Sequence, residues 1–212
     1  MEKIAIVGTG GFAREVLTLI NDINEHKPQY KVVGFVDADE SLTIHGLPVI
    51  GDDNEVNQSR EPISLVIAVG EPKMKAKIRE KYNNPLISFP TLVHPSVLIG
   101  DKQSVKIGEG SIICAGCILT TDIQIKEFVT LNLMCTVGHD TIIGSYSSFM
   151  PSVNISGEVI IKDSVYVGTG GKIINQLEIG EKTIVGAGAV VSKSLPANCT
   201  AVGVPAKPIK FH

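Results

Sequence analysis

The chain has 212 residues, a formal net charge of −3 and 19% charged residues. This length is enough for two modest domains, and the slightly negative charge leaves no electrostatic footprint for nucleic acid. No apolar run reaches the length of a transmembrane helix. The opening residues, MEKIAIVGTG, contain too short an apolar stretch for a secretory signal peptide. We therefore expect no membrane span, and the free thiols described below lead us to expect a cytoplasmic protein.

The first 90 residues alternate between short apolar runs and helical patterns. Strands are predicted at Lys3–Val7, Val32–Val36 and Ser64–Val69, and helices after Gly11 and from Pro72 to Tyr82. Such alternation predicts a small parallel α/β sheet. Ligands of these sheets bind at the carboxyl ends of the strands. Those ends carry Gly8–Gly11, Asp37 and Gly70.

A glycine-rich motif, G-x-G-x-x-A, follows the first strand at Gly8, Gly10 and Ala13. This context is suited to a diphosphate at the N-terminus of a helix. A nicotinamide enzyme is disfavoured, because the lobe is short and Asp37 lies 29 residues after Gly8 instead of roughly 20. A purely structural glycine turn between strand and helix is the remaining alternative.

From residue 107 onward, one large apolar residue recurs at every sixth position. The fifteen residues are Ile107, Ile113, Leu119, Ile125, Leu131, Val137, Ile143, Phe149, Ile155, Ile161, Val167, Ile173, Ile179, Val185 and Val191. Neither a helix nor a simple strand has this period, so the pattern predicts a repeat architecture. Three hexads make one triangular coil, and fifteen hexads predict about five coils.

Two further features accompany the large residues of the hexads. The residue two positions earlier is mostly small or β-branched, as expected where short strands meet at a narrow corner. Glycine often follows the large residue, at Gly108, Gly138, Gly144, Gly168, Gly180 and Gly186. We expect these glycines to supply the positive φ of a sharp turn. The longer step from Ile99 to Ile107 predicts a small insertion at 101–103.

The four cysteines include a C-x-x-C pair, Cys114 and Cys117. No second pair and no histidine partner occur at ligand spacing. Cys117 and Cys135 occupy the small inward position of their hexads. We therefore predict packed free thiols and no metal site.

The hexads resemble those of the left-handed β-helix acyltransferases, and the whole chain resembles the sugar acetyltransferases of the PglD/NeuD type. The second resemblance rests on the glycine-rich loop and on Val36-Asp37, Ala68-Val69-Gly70 and Val93-His94-Pro95-Ser96. It implies an α/β Rossmann-like lobe over 1–90 that binds a sugar nucleotide. It also implies a left-handed parallel β-helix acetyltransferase domain over 91–212. The expected substrate-binding residues of the lobe are Gly8, Gly10, Gly11, Phe12, Asp37 and Gly70.

Acetyl transfer from a thioester to an amine needs a base and a hydrogen-bond donor for the developing oxyanion, and no metal. His139 follows an inward hexad residue, so it projects near a corner of the coil, and a neighbouring carboxylate can orient its ring. The resemblance makes His139 the catalytic base and Asp140 its orienting partner, where relatives usually carry Glu. His94, before Pro95, is interpreted as structural.

The resemblance carries other roles onto single positions. Asn132 is expected to line the acceptor pocket, and Gly157 to present its backbone N–H to the thioester carbonyl. The pantetheine groove of coenzyme A is expected at Thr169, Ala187 and Gly188. Lys207 ends the tail loop Gly203–Lys207, which is expected to close over coenzyme A. Lys207 is then a phosphate ligand or, alternatively, a solvated side chain.

The implied activity is N-acetylation, by acetyl-CoA, of a nucleotide-linked amino sugar used in bacterial surface glycans, with a UDP-linked 4-amino-4,6-dideoxy sugar favoured. O-acetylation of sialic acid or a similar sugar is the first alternative. A catalytically silent hexapeptide binding protein is the second, and the intact His139, Gly157 and Lys207 argue against it. A homotrimer is expected, with outward residues such as Met134 and Met150 in its contacts.

Overall fold

The computed structural model describes all residues 1–212, which form two compact units, Met1–Pro95 and Ser96–His212. The first unit is an α/β lobe. Its helices are α1 (Gly11–His26), α2 (Asp53–Asn57) and α3 (Pro72–Glu80). Its strands are β1 (Glu2–Val7), β2 (Tyr30–Val36), β3 (Thr43–Ile44), β4 (Leu47–Pro48), β5 (Ile63–Ile67), β6 (Ile87–Ser88) and β7 (Leu92–Val93).

Four parallel strands form the sheet of the lobe, in the order β2-β1-β5-β6. The central strand β1 buries Ile4, Ala5, Ile6 and Val7, as a strand covered on both faces requires. The buried residues of α1 recur at helical spacing, so one apolar face packs on the lobe. The predicted parallel sheet is therefore confirmed.

The structure adds elements that the sequence patterns did not predict. Strands β3 and β4 form a two-stranded antiparallel ribbon. Helix α2 begins with a capping box, in which Asp52 accepts hydrogen bonds from Asn54 and Glu55 while the Glu55 side chain accepts one from the Asp52 N–H. Each of these elements has five residues or fewer, so no hydrophobic period develops in them.

The second unit is a parallel β-solenoid built from two-residue strands. These are β8 (Leu98–Ile99), β9 (Lys106–Ile107), β10 (Ile112–Ile113), β11 (Ile118–Leu119), β12 (Gln124–Ile125), β13 (Thr130–Leu131), β14 (Thr136–Val137), β15 (Ile142–Ile143), β16 (Ser148–Phe149), β17 (Asn154–Ile155), β18 (Ile160–Ile161), β19 (Tyr166–Val167), β20 (Lys172–Ile173), β21 (Glu178–Ile179), β22 (Ile184–Val185) and β23 (Val190–Val191). A hairpin of β24 (Cys199–Val202) and β25 (Lys207–Phe211) ends the chain.

Three sheets form the faces of the solenoid. We call them sheet I (β10, β13, β16, β19, β22 and β24), sheet II (β8, β11, β14, β17, β20 and β23) and sheet III (β9, β12, β15, β18 and β21). Strands within a sheet are parallel, and most of the paired residues lie 18 positions apart, as in Thr136↔Asn154. Residues 18 apart therefore stack at the same place on successive coils. The six strands of sheet II correspond to six coils, one more than expected.

The large residues of the hexads form the core of the solenoid. All are buried except Ile107 in the first full coil, which is half-buried. The small inward positions are buried as well, except the half-buried Leu177, and their hydroxyl groups donate to backbone carbonyls. Ser111 donates to the Lys126 carbonyl at 3.0 Å and Thr141 to that of Ser156 at 3.2 Å. Polar residues are therefore tolerated inside because each has a fixed acceptor.

The role expected for the glycines that follow the large residues was wrong. None of them has a positive φ. A Cβ on Gly144 would lie 2.5 Å from the carbonyl carbon of Lys162, and one on Gly108 would lie 2.6 Å from that of Lys126. These glycines are needed because the backbone of the next coil passes so close. The left-handed residues come two positions later, at mostly non-glycine sites such as Asp140, Tyr146 and Lys182.

The step between Ile99 and Ile107 contains a turn at 102–104, closed by a hydrogen bond from the Val105 N–H to the Asp101 carbonyl. The predicted insertion is thus present. No helix of the structure combines the length and the apolar character that crossing a bilayer requires.

Candidate active site

Three corners separate the sheets, and one of them carries the predicted base. Corner II–III joins sheets II and III. In successive coils its first position holds Thr121, His139, Gly157 and Asn175, each 18 residues from the next, and its second position is the residue that follows. Its second positions, Asp122, Asp140, Glu158 and Gln176, all have a left-handed backbone. His139 reaches this corner because β14 ends at Val137 and Gly138 lets the next coil pass beneath.

His139 and Asp140 form the histidine–acid pair that the sequence predicted. The Nδ1 atom of His139 lies 2.8 Å from Oδ2 of Asp140, and both side chains are more than half exposed. The φ of Asp140 is 56°, a conformation that Asp and Asn adopt more readily than most residues. Because Asp140 engages Nδ1, the Nε2 atom remains available to accept a proton.

Gly157 lies directly under the imidazole of His139. A Cβ on Gly157 would be 2.5 Å from Nε2, 2.6 Å from Cε1 and 2.8 Å from Cδ2 of that ring. Gly157 is buried, whereas Asn175 at the same corner is exposed. The Gly157 N–H donates to no atom of the chain. The N–H groups of Thr121 and Asn175 at this corner likewise donate to no backbone atom, but only that of Gly157 lies beneath a histidine.

The residues expected along the pantetheine groove lie at a different corner. Thr169, Ala187 and Gly188 belong to corner I–II, which joins sheets I and II, and the Gly188 N–H donates to the Thr169 carbonyl at 2.8 Å. The tail loop that leads to Lys207 joins them, because the Ala206 N–H donates to the Val190 carbonyl. The structure thus brings these residues together, and the outer face of sheet II separates their corner from that of His139.

Asn132 also leads into corner I–II. Its side-chain oxygen accepts a hydrogen bond from the N–H of Leu133 at 2.7 Å, and the residue is only 6% exposed. The structure therefore does not bring Asn132 to the corner of His139 within one chain. The sequence spacing could have shown that Asn132 and His139 lie at different corners. Residues at the same corner position are 18 apart, as 139 and 157 are, whereas 132 and 139 are not.

In the first unit, the glycine-rich loop meets the end of β2. The Gly8 N–H donates to the Val36 carbonyl at 3.0 Å, and the Thr9 hydroxyl donates to Oδ2 of Asp37 at 2.7 Å. The φ of Gly8 is 102°, which requires glycine. Thr9 was not among the predicted site residues, although its place inside the loop and its hydroxyl were the available signal.

Other residues of this loop leave the beginning of α1 open. Gly10 is the N-cap and provides no side-chain cap, and a Cβ there would meet nothing within 4 Å. Gly11 and Phe12 begin the helix. Gly70 follows β5, and the Cβ position of Gly8 lies 3.6 Å from the Ala68 carbonyl oxygen at the same end of the sheet. Unpaired amides at a helix start favour an anion.

Other chemistry has little support in the structure. No group of three His, Cys, Asp or Glu side chains is arranged to hold a metal ion. All four cysteines are free and buried. The thiols of Cys117 and Cys135 lie 3.1 Å and 3.3 Å from the carbonyls of Asn132 and Met150. The hydrogen bond with Cys117 and burial raise the pKa of Cys135, which makes Cys135 a poor nucleophile.

His94, which the sequence analysis interpreted as structural, contacts Asp22 through Nε2 at 3.1 Å.

Comparison with known proteins gives one family match in the first unit and several matches over nearly the whole chain. The PglD N-terminal domain family matches residues 3–82. GDP-perosamine N-acetyltransferase of Escherichia coli O157:H7 is 29% identical over 99% of this chain and 97% of its own length. PerB from Caulobacter crescentus, solved in complex with CoA and GDP-perosamine, is 31% identical with a TM-score of 0.90, covering 99% of this chain and 98% of PerB.

A third relative is the acetyltransferase domain of PglB from Neisseria gonorrhoeae, solved in complex with acetyl coenzyme A. It is 29% identical with a TM-score of 0.88, covering 98% of this chain and 99% of that domain. Together with the solenoid and its histidine corner, these matches define an acetyltransferase built on hexapeptide repeats. The chain belongs to the PglD/NeuD-type sugar acetyltransferases of the hexapeptide-repeat acyltransferase superfamily. The predicted fold class, a Rossmann-like lobe followed by a left-handed parallel β-helix, is confirmed.

Proposed function

We propose that this protein transfers the acetyl group of acetyl-CoA to the amino group of a nucleotide-linked sugar. One observation carries the proposal: His139 has Nδ1 held by Asp140 at 2.8 Å and lies against Gly157, whose N–H has no acceptor in the chain. A base and an unpaired donor at one corner are the two groups that acyl transfer to an amine requires.

In the proposed reaction, the nitrogen of the sugar attacks the thioester carbon while Nε2 of His139 takes the proton of the amine. Asp140 stabilises the imidazolium that forms and keeps the ring oriented. The Gly157 N–H is the candidate donor to the carbonyl oxygen as its negative charge develops. The carbon–sulfur bond then breaks, and the imidazolium returns its proton to the departing thiolate of coenzyme A.

We propose that residues 1–90 bind the sugar nucleotide and that residues 91–212 carry the acetyl transfer. The diphosphate would lie at the open N-terminus of α1, against Gly8, Gly10 and Gly11. Asp37 would face the ribose or base, with the Thr9 hydroxyl holding its carboxylate. Coenzyme A would contact Thr169, Ala187, Gly188 and Lys207, and Asn132 would line the acceptor pocket. Because these residues lie at corner I–II, a neighbouring copy in the predicted homotrimer would have to bring them to the corner of His139. Phe12 and Gly70 would complete the nucleotide site.

The proposal also has to specify which nucleotide carries the sugar. The family resemblance favoured a UDP-linked 4-amino-4,6-dideoxy sugar. The Escherichia coli relative is named a GDP-perosamine enzyme, and PerB was solved with GDP-perosamine. A GDP-linked amino sugar is therefore tested beside the UDP-linked one.

The test is a screen of GDP- and UDP-linked amino sugars, with free sialic acids as the competing class, each with acetyl-CoA. Released thiol reports turnover, and mass spectrometry of the product distinguishes an amide from an ester. We expect an N-acetylated nucleotide sugar. An ester on a free sialic acid would replace the proposal with O-acetylation. Thiol release that His139→Ala leaves unchanged would reject the assigned base.

A further inference from the structure

The contact between His139 and Gly157 has a consequence beyond the proposed roles of the two residues. Gly157 is buried at a corner where Asn175, one coil further, is exposed. The covering group is the imidazole, because three of its atoms lie within 2.8 Å of the point where a Cβ would stand. Real Cβ atoms do not approach other atoms so closely, so this ring position requires a residue without a side chain.

The conformation of Gly157 does not by itself require glycine. Its φ lies outside the left-handed region, unlike that of Gly170 or Gly188. Alanine is therefore compatible with the backbone, and the three atoms nearest to its Cβ would all belong to the ring of His139. The missing side chain at 157 thus leaves the space that the imidazole of His139 occupies.

We propose that Gly157 is a positioning residue for the catalytic base. The imidazole of His139 rests on its bare Cα, and we call this contact surface the seat of the ring. Asp140 holds one edge of the ring through Nδ1, and Gly157 supports the opposite edge near Nε2. A half-exposed histidine on the surface of a solenoid would otherwise rotate freely. With both supports, Nε2 is kept in one place, which is what a general base must offer its substrate.

This inference rests on the proposed function, since it assumes that His139 is the base. It differs from the proposed oxyanion contact of Gly157 in what it predicts for Gly157→Ala. Alanine keeps the backbone N–H, so a role restricted to that N–H would leave activity nearly unchanged. A seat would be filled by the methyl group, and the ring would be pushed away from its position.

The experiment compares Gly157→Ala with the matched variant Asn175→Ala, which removes an exposed side chain at the same corner one coil away. We expect Gly157→Ala to lower kcat by about 10²-fold, as a misplacement near 1 Å can. The KM values of both substrates should change little, and Asn175→Ala should stay near the wild type. A Gly157→Ala enzyme with more than about half of the wild-type kcat would overturn the seat.

A double-variant cycle separates the seat from a general disturbance of the corner. In the His139→Ala background, adding Gly157→Ala should have no further effect, because no ring remains to be displaced. An equal loss in both backgrounds would assign the effect to the backbone or to the oxyanion contact, and would reject the seat. If His139→Ala itself retains full activity, the proposed base is wrong, an outcome distinct from failure of the seat.

Should Gly157→Ala not fold, Asp140→Asn asks the same question. Asn adopts the left-handed backbone of position 140 without new strain. If the seat holds the ring, this variant should lose less than about tenfold in kcat, well short of the 10²–10⁴-fold expected for removal of a base. A loss as large as that of His139→Ala would overturn the seat, because the charge of Asp140 and its contact with Nδ1 would then account for the whole effect of the base.

Discussion

At the scale of single residues, the proposed chemistry depends on one exposed imidazole. We expect His139→Ala to lower kcat by about 10²–10⁴-fold, since it removes the group that accepts the amine proton. Binding of both substrates should persist, because the ring is more than half exposed and its removal should leave the fold intact. Steady-state kinetics and calorimetry with coenzyme A measure the two effects.

The structure also buries a lysine in the first unit, outside the proposed acetyl-transfer site. Lys75 on α3 is 1% exposed, and burial lowers its pKa from 10.5 to about 7, with Glu71 acting in the opposite direction. Between those values the unfolded chain binds more protons than the folded one, so the free energy of unfolding should rise with pH. The expected slope is roughly 1.4 kcal/mol per pH unit.

Lys75→Met tests this pH dependence. Methionine has a similar length and no proton to lose, so the variant should be more stable than the wild type near pH 7 and should lack the slope up to about pH 9. Urea unfolding followed by the helical circular dichroism signal reports on the first unit, which contains all three helices. A wild-type slope that survives in Lys75→Met would assign it to another group.

At the scale of the elements, the open start of α1 offers a clean test of the nucleotide site. A side chain at Gly10 would meet nothing within 4 Å, so Gly10→Val should fold normally. It should obstruct only a ligand that approaches the loop. We expect a higher KM for the nucleotide sugar and an unchanged KM for acetyl-CoA.

Calorimetry with UDP, GDP and NAD completes that test. One of the first two should bind the wild type and lose its affinity in Gly10→Val, and NAD should bind neither protein. Nucleotide binding untouched by Gly10→Val would remove the glycine-rich loop from the site. Tight binding of NAD would instead revive the dinucleotide interpretation of the lobe.

The corners of the solenoid permit a paired stability prediction. Gly144→Ala places a methyl group 2.5 Å from the backbone of the next coil, and we expect it to cost about 1–3 kcal/mol. Lys182 has a φ of 54°, and left-handed geometry costs a non-glycine residue roughly 1–2 kcal/mol. Lys182→Gly should therefore be neutral or stabilising by up to about 1 kcal/mol after its entropic cost. Chemical unfolding should show a lower free energy of unfolding for Gly144→Ala and no loss for Lys182→Gly; equal effects would contradict the corner geometry.

At the scale of the whole molecule, the solenoid exposes apolar side chains along sheet II and corner I–II. Leu98 and Ile118 are neighbours in sheet II with exposures of 64% and 42%, and Met134 is 61% exposed. Met150 is only half-buried. Adjacent exposed apolar residues on a regular face are typical of contacts between copies. The homotrimer remains our prediction for this surface.

Light scattering should give a mass near three times the 22.6 kDa of one chain. Ile118→Glu should dissociate the assembly, because a charge buried without a partner is costly. Ile160→Glu is the matched control, since Ile160 is similarly exposed on sheet III at 38%. A stable wild-type monomer at micromolar concentration, or equal effects of both variants, would contradict this interface.

The sequence by itself determined the solenoid. Its six-residue period is local, and a ladder of Ile, Leu, Val and Phe can be buried at that spacing only if the chain closes into stacked triangular coils. The same local signals located the strands of the first lobe, the glycine-rich loop and the pair His139–Asp140, because each depends on residues close together in the chain. Arithmetic in steps of 18 would also have shown that Thr169 and His139 belong to different corners.

Only the tertiary structure decided how close the coils approach and what fills the space between them. The glycines after the large residues avoid the backbone of the next coil and do not turn the chain, and no spacing rule distinguishes those two uses. Likewise, the seat of His139 on Gly157 and the bond between Thr9 and Asp37 depend on side-chain directions across residues far apart in sequence. The period of a repeat states which residues stack, whereas steric fit between stacked residues exists only once the coils are packed.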